Sequence, residues 1–402
     1  MEDVFIVAAA RTPFGRLQGR LAALRVDDLL AHLVVDIARQ TGVLDYKNAF
    51  FFAGAANQAG EDNRNLARQV ALLSGLSPTT HATTFNALCN SGIEAFLAAV
   101  RALQTGAADL AWAAAGENMS RSPFVRHRYT GEEADSLIGW RFENPQLSPA
   151  HRLSMVEIAE QQAAPAQFGF SRLAQDNYAA LSRQKYETAL KADFFAAEIR
   201  AVPTGEGQFL SYDEQHRCFT DEALARLPPL LGKDKSKDKI AEYITLGNSS
   251  RAGDGAVVLL LATHQAVKDL DLQPLARFVA AEQISLAPSD MNAAAAAATH
   301  RLIQRHSHKK GVAVANFDLV ELSESFALQP LHFMQNFPTI NPDIINICGG
   351  SLSAGNPTAA GNLRLLTAAI SQFQQSPQKR QALIGTCSGL GLGAAIALQS
   401  EL

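Results

Sequence analysis

Two cysteines stand where a thiol can do chemistry. Cys89 lies in FNALCNSGIEAFLAAV (85–100), where Asn90, Ser91 and Gly92 signal a turn ahead of an amphipathic helix. A thiol at a helix N-terminus meets the positive end of the dipole, which lowers its pKa and favours thiolate. Free backbone N–H groups at such a position can also hold an oxyanion. The plainer reading is a small buried hydrophobe, the commonest fate of a free cysteine. Cys387 lies in GTCSGLGLGA (385–394), which matches the G-x-C-x-G turn of a nucleophile elbow. A hydrolase of that type needs an acid and a histidine later in the chain. Fifteen residues follow Cys387 and none is a histidine, which removes that reading. GLGLG is not a dinucleotide fingerprint either, because no acidic residue lies about 20 positions on. What remains is a second cysteine in a glycine-lined turn after a strand, or simply a buried thiol.

Three further clusters accompany the cysteines. GGSLSAGNPTAAG (349–361) is dominated by glycine and alanine and presents one polar residue, Asn356, before Pro357. Glycine is used where backbone turns left-handed or comes very close to something else, and the expectation is that a ligand is what comes close. GNSSRAGDGA (247–256) is a loop of small residues with a polar edge, either a turn or a ligand contact. SESFA (323–327) follows the strand-like DLVEL, and its Glu324 fits an N-cap, a first-turn acid or part of a site.

The chain as a whole narrows the function classes. It has 402 residues, enough for two or three domains, with 47% hydrophobic and 18% charged residues. A net charge of −4 gives no reason to invoke nucleic acid or an anionic membrane. The four cysteines (Cys89, Cys218, Cys348, Cys387) are far apart and form no CxxC pair, which fits a reduced, cytoplasmic chain better than a disulfide framework. The ten histidines show no HExxH, and His306 and His308 sit in a basic run, so no metal site is expected. MEDVFIVAAARTPFG reads as a strand rather than a signal peptide, and no apolar run approaches the roughly 20 residues that span a bilayer.

The elements that must position these residues alternate between strand and helix. VFIVAAA (4–10), AFFFAGAA (49–56), DLAWAAAGE (109–117) and AVVLLLAT (256–263) read as buried strands. Residues 27–39 and 93–103 carry apolar side chains at helical spacing, as does 362–373. The alanine run 293–298 is expected to be a helix capped by Ser289-Asp290. Between about 119 and 247 the texture changes, with more Arg, Gln and aromatic residues, few clean strands and the charge run GKDKSKDK (232–239). The pattern is α/β: residues 1–118 and 248–270 form one half, 119–247 is an insertion, and 271–402 is a second half.

Taken together, these segments resemble the thiolases from end to end. ARTPFGRLQG (10–19), NALCNSGIEA (86–95), GENMSRSPF (116–124), GNSSRAGDGA, SESFA, GGSLSAGNPTAAG and CSGLGLG fall in that family's order and at its approximate spacing. ANQAGEDNRNLARQ (56–69) and IGWRFENP (138–145) look more specifically like the β-ketoadipyl-CoA thiolase branch. The resemblance implies two α/β halves in the five-layered thiolase fold, a loop domain that holds coenzyme A, and a homodimer or homotetramer. It implies acyl-CoA as substrate, with no covalently bound cofactor. By matching position, Cys89 would be the nucleophile that takes the acyl group. Cys387 would be the acid/base that moves a proton at the α-carbon. The N–H groups of Cys89 and Gly389 would form an oxyanion hole, and Ser250, Met155 and Arg217 would lie near coenzyme A.

The chain departs from the family in two motifs of one pocket. GHP is Gly355-Asn356-Pro357 here, and NEAF reads Ser323-Glu324-Ser325-Phe326. The family's histidine activates the nucleophile and donates to the thioester oxygen. An amide can donate but neither takes nor gives a proton near neutral pH. SMVEIAEQQA (154–163) also lacks the Thr-Ala-Glu-Asn run usual in this branch. Three readings follow: a thiolase-like acyltransferase with lower or narrowed activity, a member retuned to another acylation substrate, and a silent thiolase-fold protein that binds acyl-CoA or serves as an assembly subunit.

Overall fold

The computed structural model describes the chain except residues 1, 58–60, 136–142, 233–241, 310–311, 314–315 and 377. Most of the charge run 232–239, most of 138–145 and part of 56–69 therefore fall outside the described residues.

One mixed sheet organises the molecule. In spatial order its strands are Leu319–Leu322, Gln381–Cys387, Leu392–Ser400, Ala276–Ser285, Val4–Arg11, Gly253–Thr263, Leu110–Asn118, Ala49–Gly54 and His81–Phe85, with the short Gly15–Arg16 on the side of Gly253–Thr263. Pairing is antiparallel in the middle and parallel towards both ends. The two halves of the sheet pair at Phe5↔Arg277 and Ile6↔Ala276.

Strand alternation builds the layers. One set of side chains, including Ile6, Ala113, Val257, Leu259, Ile384 and Ile396, packs on two helices buried between the sheet halves, Ser91–Gln104 and Thr358–Gln375. The opposite set in the first half, including Val7, Trp112, Val258 and Leu260, packs on the helix Val26–Thr41, whose Leu29, Leu30, Leu33, Val34 and Ile37 are all buried. In the second half Leu383, Ala395 and Ala397 pack on the helix Ala294–His306. Helix, sheet, central helices, sheet and helix make five layers, and each half repeats the same plan. The central helices matter most for function, because Cys89 precedes the start of one and Asn356 precedes the start of the other.

The insertion contributes the helices Met155–Ala163 and Arg172–Lys191 and two short hairpins. The first of these helices opens with a capping box between Ser154 and Glu157. Ser289 and Asp290 do not cap the alanine helix. They lie in a 3-10 turn, Pro288–Ala293, and the helix begins at Ala294 without a side-chain cap. Alanine carries the helix by its own propensity there. No helix among the described residues is long and apolar enough to cross a membrane.

Candidate active site

Cys89 sits in a sharp turn rather than in the helix proper. Leu88 holds φ +53°, and Asn90 occupies the cap position of Ser91–Gln104 without a side-chain capping bond. Cys387 ends the strand Gln381–Cys387, and Leu390, at φ +62°, turns the chain back into Leu392–Ser400. These two turns meet. The Gly389 N–H hydrogen-bonds the Cys89 sulfur, and the Ser388 hydroxyl lies beside it, its single hydrogen shared between that sulfur and Ala87 O at 3.0 Å. Gly389 is tightly held, since a Cβ there would lie 3.0 Å from Leu88 Cδ1 and 3.8 Å from Met155 Sδ. Met155 is thereby placed beside Gly389.

The electrostatics differ from the helix-dipole expectation. Burial pushes the Cys89 thiol above its ordinary pKa, and the Gly389 and Ser388 donors offset this only in part. Burial pushes Cys387 up to about 12, against the pull of the Ala295 and Ala294 amides. A charge on Cys89 raises Cys387 further, so the pair favours at most one thiolate. The Cys387 sulfur accepts from Ala295 N–H at 3.3 Å and donates to Asn292 O at 3.7 Å. Asn292 is itself fixed by Gln162 and Gln329, and Gln329 in turn accepts from the Ser325 N–H.

Asn356 is placed with the predicted coenzyme A contacts. Its amide donates to Ser250 Oγ at 3.3 Å, its N–H to Arg251 O at 2.8 Å, and it bridges Ala252. Among the described residues no hydrogen bond joins Asn356 to Cys89. The glycines around Asn356 are not explained by a ligand. Added Cβ atoms would meet Ser182 O at Gly349, the Glu324 carboxylate at Gly350, the Gln215 amide at Gly355 and Asn356 Oδ1 at Gly361. The close approach is by the protein's own polar groups, and Gly355 also needs its φ of +95°.

Ser323 is buried and bonded on both sides: it accepts from Cys387 N–H at 2.9 Å and donates to Asn362 Oδ1 at 3.0 Å. Glu324 is neither cap nor first-turn acid. Its carboxylate accepts from Tyr178 at 2.9 Å, Ser182 at 2.9 Å, Asn346 at 2.7 Å and Leu352 N–H at 3.2 Å, which ties the glycine stretch to the insertion.

Arg217 is exposed, beside Arg251: burial first, then Arg217, lowers the Arg251 pKa. Arg183 also lies near Arg251, its pKa lowered to about 10 by burial and then by Arg251. Three cations thus gather around Arg251, the residue after Ser250. The sequence marked Asn90 only as a turn residue and did not single out Asn292, Asn362 or Ser388. The available signal was polar side chains inside otherwise apolar stretches. One metal-capable group, Glu187 with His216 and Cys218, stands among the described residues, and its ligand atoms lie within 4.8 Å of one another. The absence of a metal-binding spacing in the sequence did not point to it.

The comparisons with known proteins show the family and the fold. The family model for the thiolase N-terminal domain matches residues 4–265, and that for the C-terminal domain matches 272–400. A β-ketoadipyl-CoA thiolase of Pseudomonas putida is 38% identical, over 99% of this chain and 100% of its own. A 3-oxoadipyl-CoA/3-oxo-5,6-dehydrosuberyl-CoA thiolase of Escherichia coli K12 is 35% identical over the same shares. The crystal structure of human mitochondrial 3-ketoacyl-CoA thiolase in complex with CoA superposes with a TM-score of 0.88 at 28% identity, covering 100% of this chain and 98% of that one. The chain belongs to the thiolase family.

Proposed function

We propose that the protein is a thiolase-type acyltransferase that works through an acyl-Cys89 intermediate, with turnover reduced or altered by the loss of the imidazole. The observation that carries the reading is the meeting of Cys89 and Cys387 in one buried site, with the Gly389 N–H on the Cys89 sulfur.

In the thiolysis direction, the Cys89 thiolate attacks the 3-keto carbonyl of a 3-ketoacyl-CoA. The new C–S bond forms, and the Cys89 and Gly389 amides stabilise the developing oxyanion. The bond between the carbonyl carbon and the α-carbon then breaks. Cys387 gives its proton to the leaving carbanion, and acetyl-CoA departs. An incoming CoA thiol passes its proton to Cys387, and its sulfur takes the acyl group, which restores the Cys89 thiolate. Covalent capture divides one difficult carbon–carbon step into two easier ones.

Ser250, Met155, Arg217 and the arginines beside them would hold coenzyme A, with the insertion 119–247 as the segment that carries most of these contacts. The cluster of positive charge suits phosphate groups. Asn356 uses one amide hydrogen on Ser250 and keeps the other for the substrate oxygen. It supplies no base, so ionisation of Cys89 falls to its sulfur donors and to pH. The matching relatives favour a β-ketoadipyl-like acyl chain, and a homodimer or homotetramer belongs to the same proposal.

The raised Cys89 pKa and the amide at position 356 favour one second reading, a silent acyl-CoA-binding or assembly subunit. Intact-protein mass spectrometry after mixing with acetoacetyl-CoA separates the two. Mass gain at Cys89 supports the enzyme, and none supports the silent fold.

A further inference from the structure

Three buried residues far apart in the chain, Cys387, Ser323 and Asn362, close a hydrogen-bonded ring, and a fourth, Asn90, is joined to it. The Cys387 N–H donates to Ser323 Oγ at 2.9 Å, Ser323 Oγ donates to Asn362 Oδ1 at 3.0 Å, and Asn362 Nδ2 returns to Cys387 O at 3.1 Å. The same Nδ2 gives its other hydrogen to Asn90 Oδ1 at 2.7 Å. Asn362 is only 6% exposed and Asn90 3%. Both hydrogens and the oxygen of the Asn362 amide are therefore used. Asn90 is the cap residue of the Cys89 helix, yet its side chain caps nothing. It is spent on Asn362 instead.

We propose that Asn362, with Ser323 as its relay, is a positioning residue that fixes the Cys387 turn against the Cys89 turn, so that the spacing of the two thiols depends on it. Asn362, on the central helix, bonds both Ser323 Oγ and Asn90 Oδ1 and so links the two turns. Both backbone groups of Cys387 are held by this ring, while its sulfur is aimed separately by Ala295 N–H and Asn292 O. Breaking the ring frees the backbone of Cys387 without removing either sulfur contact. The turn then gains access to water, and a thiol held neutral by burial becomes easier to ionise. The catalytic meaning of this spacing rests on the two-thiol reading above.

The test uses thiol reactivity and needs no acyl-CoA turnover, so its failure is distinct from a failure of that reading. Asn362→Leu and Ser323→Ala are alkylated with iodoacetamide at about pH 8.5, and each cysteine is followed by peptide mass spectrometry. Ser323→Thr, which keeps the hydroxyl, is the rescue. The expected result is a rise of about fivefold or more in the ratio of Cys387 to Cys89 alkylation in both broken variants, with a ratio near wild type in Ser323→Thr. A general loosening would move both cysteines, or leave Ser323→Thr no better than Ser323→Ala. A ratio that changes by less than about twofold in Ser323→Ala, or a Ser323→Thr ratio equal to that of Ser323→Ala, overturns the proposal, and Ser323→Ala decides alone where Asn362→Leu does not fold.

Discussion

The side-chain oxygen of Asn356 occupies the space where a Cβ on residue 361 would be, so Gly361 is what allows the asparagine its orientation towards Ser250. Gly361 lies inside the helix Thr358–Gln375, where glycine to alanine ordinarily stabilises by about 0.5–1 kcal/mol. Here the overlap opposes that gain, and overpacking costs about 1–3 kcal/mol. Gly361→Ala should therefore lower the melting temperature rather than raise it. It should also raise KM for acyl-CoA, because Asn356 and Ser250 must move. Thermal unfolding and steady-state kinetics check both.

Asn356→His restores a group that can take a proton at the same Cβ. General-base help is typically worth about 10²–10⁴-fold, and thiolysis of acetoacetyl-CoA should rise towards the lower end of that range. A flat response would place the limit in the Ser323 pocket instead.

The Cys89 pKa is raised, chiefly by burial, so the thiol is mostly protonated at neutral pH. Because the thiolate is the nucleophile, its fraction grows about tenfold per pH unit below the pKa. Alkylation of Cys89 should climb from about pH 7 to 9 without a plateau. A rate already level at about pH 7 would show that an unrecognised base or donor lowers the pKa.

Glu321 carries a separate pH signature. Burial, offset in part by Arg364 and Gln372, pushes its carboxyl up to about 7, and its second oxygen has no partner. The folded state therefore holds this proton more tightly than the unfolded chain does. Below about pH 4.5 both states are protonated and the group is neutral to stability. Between about pH 4.5 and 7 stability falls as pH rises, by up to about 3 kcal/mol at 1.36 kcal/mol per unit. Glu321→Gln keeps the acceptor for Gln372 and removes this slope. It should match wild type near pH 4.5 and exceed it in melting temperature near pH 8.

Much of the fold is legible in the sequence because burial imposes strong periods. The strands at Val4–Arg11 and Gly253–Thr263 and the helices at Val26–Thr41 and Ser91–Gln104 lie where apolar spacing puts them. The cysteine turns are legible for a different reason, since glycines beside a lone thiol mark unusual backbone. The purpose of the glycines in 349–361 is not legible, because Ser182, Gln215 and Glu324 come from segments far away in the chain. Nor is the Asn90–Asn362 bond, which joins two helices with no shared local pattern. The low pKa expected for Cys89 from its place before a helix is not what the structure gives, because burial by the rest of the fold, which no local pattern reveals, raises it.

The central claim is that Cys89 takes an acyl group, and intact-protein mass spectrometry with acetoacetyl-CoA measures it directly. The account predicts one acetyl adduct per chain, forming faster as pH rises and absent in Cys89→Ala. No adduct in wild type, or an unchanged adduct in Cys89→Ala, would contradict it.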